Sequence, residues 1–477
     1  MTEEGSTRLQ FIAAFSATIA YLIGGTFLGW PSPSIPKLLA ADSHIALTAD
    51  EGSWVAALAS FGMLFAPLPT GYLVDVLGRK PTLAFTALPF LASWLMVTFA
   101  RSAVELYASR VLAGLALGMA FTVGPVYMGE IAEDRVRGAV GTVFQVMINL
   151  GTLFEYSVGP YVSYAHLGMA SMVFPVLFLL SFVWMPETPY FLLTKNRRDA
   201  AEKSLMRLRG KKTPESVKEE LDLMQMAVEM QAKEKGSFRD LIGSWGNMKA
   251  LMIVLGLMVT QHFSGIIPML SFVTIIFLKS GSSIDANISA IIFGVVQLVI
   301  SIVSSGLVDK AGRRPLLLVS AAGCAISLTV EGLYFYLAQH YIEYTASIDW
   351  LPITCLLVYI ITYTLGLGPL PWAIAGEVFP NNVKGVAVAV VSMVNAICGF
   401  VATKLFQVIG DRKGSFLAFW IFAGCSVVGT VFIALFLPET KGKSLLQITE
   451  EMNARAPVHL NKNKADENSN EKHVTRF

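Results

Sequence analysis

Stretches of about 20 apolar residues, each the length that spans a bilayer as a helix, recur twelve times along this chain of 477 residues. They fall at about 11–30, 53–74, 82–100, 103–128, 138–160, 168–185, 248–278, 287–308, 316–337, 351–375, 385–408 and 415–437. All are too long and too Gly-rich for barrel strands, and a helix is the only other backbone that satisfies its own hydrogen bonds in lipid. The predicted fold class is therefore an all-α membrane protein of twelve transmembrane helices. Composition agrees: 15% of residues are charged, against roughly a quarter in soluble chains. The opening residues MTEEGSTRLQ lack the basic start of a signal peptide, so the first stretch reads as a retained span. Cys324, Cys355, Cys398 and Cys425 all lie in apolar runs. They read as packing residues, not as a disulfide or metal framework.

Charge predicts orientation. With the N-terminus inside, all but seven of the 36 Lys and Arg fall in inner loops and tails. The exceptions are Lys37, Arg101, Lys279, Arg412 and Lys413 outside, and Arg110 and Lys404 within or near the ends of spans. The positive-inside rule then gives two cytoplasmic termini. The expected organisation is a cytoplasmic N-terminus (1–10), a six-helix half (11–189), a cytoplasmic linker of short amphipathic helices (190–247), a second six-helix half (248–440) and a largely disordered tail (441–477).

The halves repeat. LVDVLGRKP at 73–81 returns as LVDKAGRRP at 307–315. PVYMGEIAEDRVRG at 125–138 returns in outline as PWAIAGEVFPNNVKG at 371–385, and MPETP at 185–189 returns as LPETK at 437–441. Parallel six-span repeats with a site between them at mid-membrane are the architecture of alternating-access carriers. Acids accompany the bases in both copies. Asp75 with Arg79, Asp309 with Arg313 or Arg314, Glu130 with Arg137, and Glu377 with Lys384 are the expected pairs, with Glu187 and Glu439 in the third motif. Each pair contributes about 1 kcal/mol or less alone. Together they form a candidate lock on the inner face. The competing reading is that the bases only hold these loops inside.

These residues resemble a known family. GRK at 78–80 and DKAGRR at 309–314 are similar to signature loops of the major facilitator superfamily. PETP at 186–189, PETKGK at 438–443, QHFSG at 261–265 and GLGPLPW at 366–372 resemble the sugar porters within it. LGWPSP at 28–33 and EGSWVAAL at 51–58 look most like insect facilitative trehalose and glucose transporters. The resemblance implies sugar-binding roles for Gln145, Gln261, His262, Gln297, Trp372 and Asn395. It also implies a hinge in the tenth span at Gly366, Gly368, Pro369 and Pro371. The residues agree with this from below: amides both donate and accept without charge, and polar groups within a membrane turn to the bundle interior. For any one amide, helix–helix bonding competes with sugar binding.

The pattern also departs from the family. Ile267, Ser271, Phe272, Tyr190, Thr364 and Ala396 stand where the family has more polar, aromatic or charged residues, so the second half of the cavity should be wider or less polar. Phe27 stands where proton-linked relatives carry an Asp, and no acid lies between Glu4 and Asp42. Glu155 and Glu331 are intramembrane acids toward the outer ends of their helices, and His262 can titrate. The expected function is facilitative transport of a sugar, such as trehalose or a hexose, across the plasma membrane. The alternatives are a proton-coupled sugar or polyol symporter and a non-transporting sensor on the same fold. No catalytic motif, cofactor, metal site, nucleic-acid partner or obligate protein partner is expected. Asn287 opens a glycosylation pattern, NIS, close to the bilayer.

Overall fold

The computed structural model describes residues 6–233, 238–345, 347–441, 443 and 447, and it is helical, with no strand among them. Two of the expected ion-pair partners, Arg137 and Asp309, have side chains outside the described set, as does almost all of the expected disordered tail.

Among the described residues, ten helices are long and apolar enough to cross a bilayer. In chain order they are Arg8–Leu39 (first span), Arg79–Phe99 (third), Ala103–Ile131 (fourth), Tyr164–Phe182 (sixth), Trp245–Ser280 (seventh), Ala286–Val308 (eighth), Arg313–His340 (ninth), Leu351–Val378 (tenth), Asn382–Lys413 (eleventh) and Ser415–Phe436 (twelfth). Ala49–Met63 and Pro67–Val76, bent by 41°, make the second span. The bend coincides with Pro67 at the start of a new helix, where a backbone donor is missing. The helix Asp134–Val158 occupies the place of the fifth.

Two apolar cores form, each drawn almost entirely from one half of the chain. Phe27, Trp30, Trp94 and Tyr127 are buried in the first. Met258, Phe272, Tyr359 and Phe419 are buried in the second. Small residues let the helices touch. A Cβ on Gly25 would fall 1.9 Å from the Ile148 carbonyl oxygen, and one on Gly151 would fall 2.0 Å from that of Leu22. The first and fifth spans thus meet backbone to backbone, where side chains larger than hydrogen do not fit.

Between the halves run four short helices, Pro189–Thr194, Arg198–Arg209, Lys218–Lys233 and Phe238–Gly243. Their apolar stripe closes a small core of Leu193, Leu205, Val217 and Leu221. This core is tied to the first half: Arg209 is buried, pairs with Glu220 at 2.6 Å and donates to the Ile131 carbonyl.

The face of the bundle at which the first span begins and the twelfth span ends is the terminal face. Toward the opposite face, hydrogen bonds and an ion pair join the two halves. Ser32 and Thr274 share a hydroxyl bond of 2.7 Å, and Tyr156 donates to the Leu270 carbonyl at 2.7 Å. Lys404 of the eleventh span reaches Asp50 at 2.9 Å and Ser53 at 2.6 Å, with its ammonium over the Trp54 ring.

Candidate functional site

On the terminal face each repeat builds the same clamp. In the first half, Arg79 at the start of the third span donates to Glu130 at the end of the fourth, at 2.9 Å. The Thr188 hydroxyl donates to the other Glu130 oxygen at 2.6 Å. Glu187 accepts from the Lys80 backbone N–H at 3.1 Å. In the second half Arg313 donates to Glu377 at 3.1 Å, Thr440 donates to Glu377 at 2.8 Å, and Glu439 accepts from the Arg313 and Arg314 backbone N–H groups, both at 3.1 Å. A carboxylate on the free N–H groups of a helix start is favourable through both hydrogen bonding and the helix dipole.

Glycine makes room for that carboxylate. Gly78 and Gly312, just before the two helix starts, have φ of +110° and +92°. A Cβ there would sit 2.3 Å from a Glu187 oxygen and 2.9 Å from a Glu439 oxygen. Both the dihedral and the space exclude a side chain.

Two expected pairs are corrected. Asp75 is exposed and makes no ion pair among the described residues, because the Arg79 guanidinium turns across to the fourth span. Lys384 does not pair with Glu377; it donates to the Gly376 carbonyl at 2.6 Å, and Glu377 is filled by Arg313 and Thr440. Thr188 and Thr440 were missed by sequence reasoning, although PET is the part of the third motif common to both copies.

The bonds of the clamps run within a half. Their surroundings differ. Burial holds the Glu187 carboxyl above its ordinary range, against the backbone bonds from Thr188 and Lys80 and the charge of Arg79. Burial also raises Glu439, but backbone N–H groups of Lys441, Arg313, Arg314 and Thr440 outweigh it and leave that carboxyl below its ordinary range.

Deeper in the bundle, two spans break. The seventh stops at Phe263, turns through Ser264 and Gly265 (φ +90°), and restarts at Ile266. The Ser264 hydroxyl donates to the Gln261 carbonyl, and its own carbonyl accepts from Tyr359 at 3.0 Å. The tenth stops at Leu365 and restarts at Leu370, with Gly366, Leu367, Gly368 and Pro369 between. Pro371 lies in the restarted helix. Leu367 N–H is taken by the Ser320 hydroxyl at 2.9 Å.

Of the expected sugar-binding residues, Gln261, His262 and Trp372 flank these breaks, and Gln145, Gln297 and Asn395 lie on other spans. Gln261 is buried and donates to the Leu367 and Gly368 carbonyls at 2.7 and 2.9 Å. Gln145 on the fifth span donates to Asn149 at 3.2 Å. Trp372, half-buried, stands on the restarted segment of the tenth span. His262 donates through Nδ1 to the Met258 carbonyl at 3.2 Å, and its ring packs on Gly399 of the eleventh span. Gln297 on the eighth span and Asn395 on the eleventh are buried. Gln261 Oε1, Gln297 Oε1, Asn395 Oδ1, Thr364 Oγ1 and Asn149 Nδ2 are all buried without a hydrogen-bond partner. Buried polar atoms are ordinarily paired, so a set of uncharged orphans on five spans invites a ligand rich in hydroxyls. Asn149 was missed; its signal is its place one helical turn from Gln145, on the same face.

The remaining membrane charges lie apart from this set. Arg110 donates to the Val55 carbonyl, and Glu155 accepts from Ser171 at 2.6 Å. Glu331 is buried with both carboxyl oxygens unpartnered. Phe27 stacks on Trp94 with ring centroids 4.0 Å apart.

Two repeated six-helix halves with unpartnered amides buried in both make up the all-helical membrane fold of the major facilitator kind. Solved structures share that fold. The proton:xylose symporter XylE bound to 6-bromo-6-deoxy-D-glucose superposes with a TM-score of 0.76 at 22% identity, over 93% of this chain and 99% of that one. A partially occluded inward-open form of XylE from E. coli gives 0.77 at 21%, over 92% and 100%. The family of sugar (and other) transporters matches residues 12–452, and the chain belongs to it. Among its relatives are the facilitated trehalose transporter Tret1 of Bombyx mori, 35% identical over 96% of this chain and 90% of that protein, and a Tret1-2 homolog of Drosophila simulans, 34% identical over 94% and 92%.

Proposed function

We propose that this protein is a facilitative carrier that moves a sugar, such as trehalose or a hexose, down its gradient across the plasma membrane by alternating access. The terminal face is cytoplasmic, as the Lys and Arg distribution favours. The observation that carries the reading is the set of unpartnered, uncharged polar atoms of Asn149, Gln261, Gln297, Thr364 and Asn395. A sugar hydroxyl both donates and accepts, and such atoms offer it bonds without the cost of burying a charge. The names of the relatives support the same cargo.

Uniport is favoured over symport. Coupling to protons needs a group in the solute path that changes charge, and the first span offers Phe27 sealed against Trp94 there. The bonds that join the halves lie toward the outer face, which favours reading this as an inward-facing state. The sugar leaves past Trp372 and the two clamps, and the halves then rock to separate Lys404 from Asp50 and Ser32 from Thr274.

The test is uptake by proteoliposomes carrying the full chain, with labelled trehalose, hexoses and polyols, with and without an inward proton gradient. Saturable uptake of trehalose or a hexose, equal in both conditions, is expected. Uptake that rises strongly with the gradient overturns uniport, and no uptake of any sugar overturns the carrier reading.

A further inference from the structure

Among the expected sugar-binding amides, Gln261 spends its nitrogen on two bonds to another broken span, whereas Gln145 makes one bond within its own helix. Both Gln261 N–H groups point to the tenth span, to the Leu367 and Gly368 carbonyls at 2.7 and 2.9 Å. Those carbonyls belong to the break itself, between Leu365 and Leu370, where the helical ladder cannot use them. A carbonyl only accepts, so the amide cannot be turned the other way round. Gln261 Oε1 is therefore fixed as an acceptor, and it is buried without a partner. Gln261 itself stands three residues before the seventh-span break at Ser264 and Gly265.

We propose that Gln261 is a staple between the two broken helices: its amide nitrogen holds the tenth-span break, while its oxygen accepts a hydrogen bond from a sugar hydroxyl. This deepens the carrier reading and rests on it for the sugar half alone. Two consequences follow. Toward the ligand this residue is an acceptor only, so it selects a hydroxyl that donates and rejects a deoxy or O-methyl sugar at that position. A sugar that pulls on the oxygen also pulls on the tenth-span backbone, which connects occupancy to the segment carrying Trp372 and Glu377. Gln297, whose oxygen is likewise unpartnered, makes no bond to that break among the described residues.

The test separates the staple from sugar binding. A cysteine is placed at Gly376, where a Cβ meets nothing within 4 Å, in a full chain whose native Cys324, Cys355, Cys398 and Cys425 are replaced by Ser. Its labelling rate by a membrane-impermeant maleimide is read without sugar. Losing two buried hydrogen bonds shifts an equilibrium by about tenfold or more. Gln261→Met is thus expected to change the rate by about that factor, and Gln297→Met is expected to leave it at the wild-type value although both lower uptake. Gln261→Glu, which fills the same space but donates at most one bond, is expected to fall between. Equal labelling in all four proteins overturns the staple, even where uptake falls. Loss of all sugar uptake in the wild type instead overturns the carrier reading and leaves the labelling result to stand on its own. If Gln261→Met does not reach the membrane, Gln261→Glu against Gln297→Glu decides by the same rule.

Discussion

The fourth and tenth spans carry equivalent glutamates, Glu130 and Glu377, into equivalent clamps, yet one arm is rigid and the other jointed. The fourth span runs unbroken from Ala103 to Ile131, whereas the tenth is interrupted between Leu365 and Leu370. The first clamp is also sealed from below. Ser204 of the linker donates to the Glu187 carbonyl, and Arg207 donates to that of Trp184. One repeated device thus serves two ends: a platform in the first half, and a movable arm in the second. The arm is the one that carries Trp372 and meets Gln261. Alternating access then needs more than two rigid halves rocking; it has a local joint, on one side only.

Substitutions at the paired glycines should show that asymmetry most strongly. Gly78→Ala forces a Cβ to 2.3 Å from a Glu187 oxygen and 2.7 Å from the Phe191 ring, against 2.9 Å from a Glu439 oxygen for Gly312→Ala. With the dihedral strain common to both, Gly78→Ala is expected to cost about 3 kcal/mol and Gly312→Ala about half of that. Thermal unfolding of the detergent-solubilised protein measures both. Equal losses would mean that the clamps are equally tight.

A smaller effect is expected from the arginines. Arg79→Ala strands Glu130 in the less exposed clamp, where the paired side chains are 14% and 18% exposed, against 17% and 31% for Arg313 and Glu377. We expect about 2 kcal/mol for the first and about 1 kcal/mol for the second. Transport should respond in the opposite order, because Glu377 lies on the jointed arm. Initial uptake rates set beside melting curves check this, and a parallel loss of both would remove the distinction.

The smallest effect is with pH. Glu187 is held above its ordinary value, so its contribution is complete below the unfolded value and fades as pH rises through the folded one. Glu439 is held below its ordinary value, so its contribution is complete above the unfolded value and fades as pH falls through the folded one. Acidifying through the carboxylate range, about pH 4–5, should therefore loosen the second clamp before the first. Spin labels at Gly129 and Gly376, both with open space at Cβ, would report this as mobility rising at Gly376 first.

Much of this architecture was legible in the sequence, for identifiable reasons. Bilayer thickness writes itself as apolar runs, and duplication writes itself as repeated loops, so the helical membrane fold and the charged members of both clamps could be read directly, while Thr188 and Thr440 could not. Partner choice could not. Arg79 and Glu130 are 51 residues apart, and only the packing of the third span on the fourth brings them together; local spacing suggested Asp75 instead. The acceptors of Gln261 were hidden for a related reason, since the sequence shows that a helix is weakened at Gly366, Gly368 and Pro369 but not which side chain donates to the freed carbonyls. The contact of Lys404 with Asp50 depends on how the two halves meet, which no local pattern records.

The central claim is that sugar moves an arm of the second half and leaves the matching arm of the first in place. Double electron–electron resonance tests it with two label pairs, Gly129 with the exposed Leu180 in the first half, and Gly376 with the exposed Leu435 in the second. On adding trehalose to the reconstituted protein, the distance distribution within the second pair is predicted to shift while that of the first stays unchanged. A shift in the first pair, or none in either while trehalose uptake proceeds, would contradict the account.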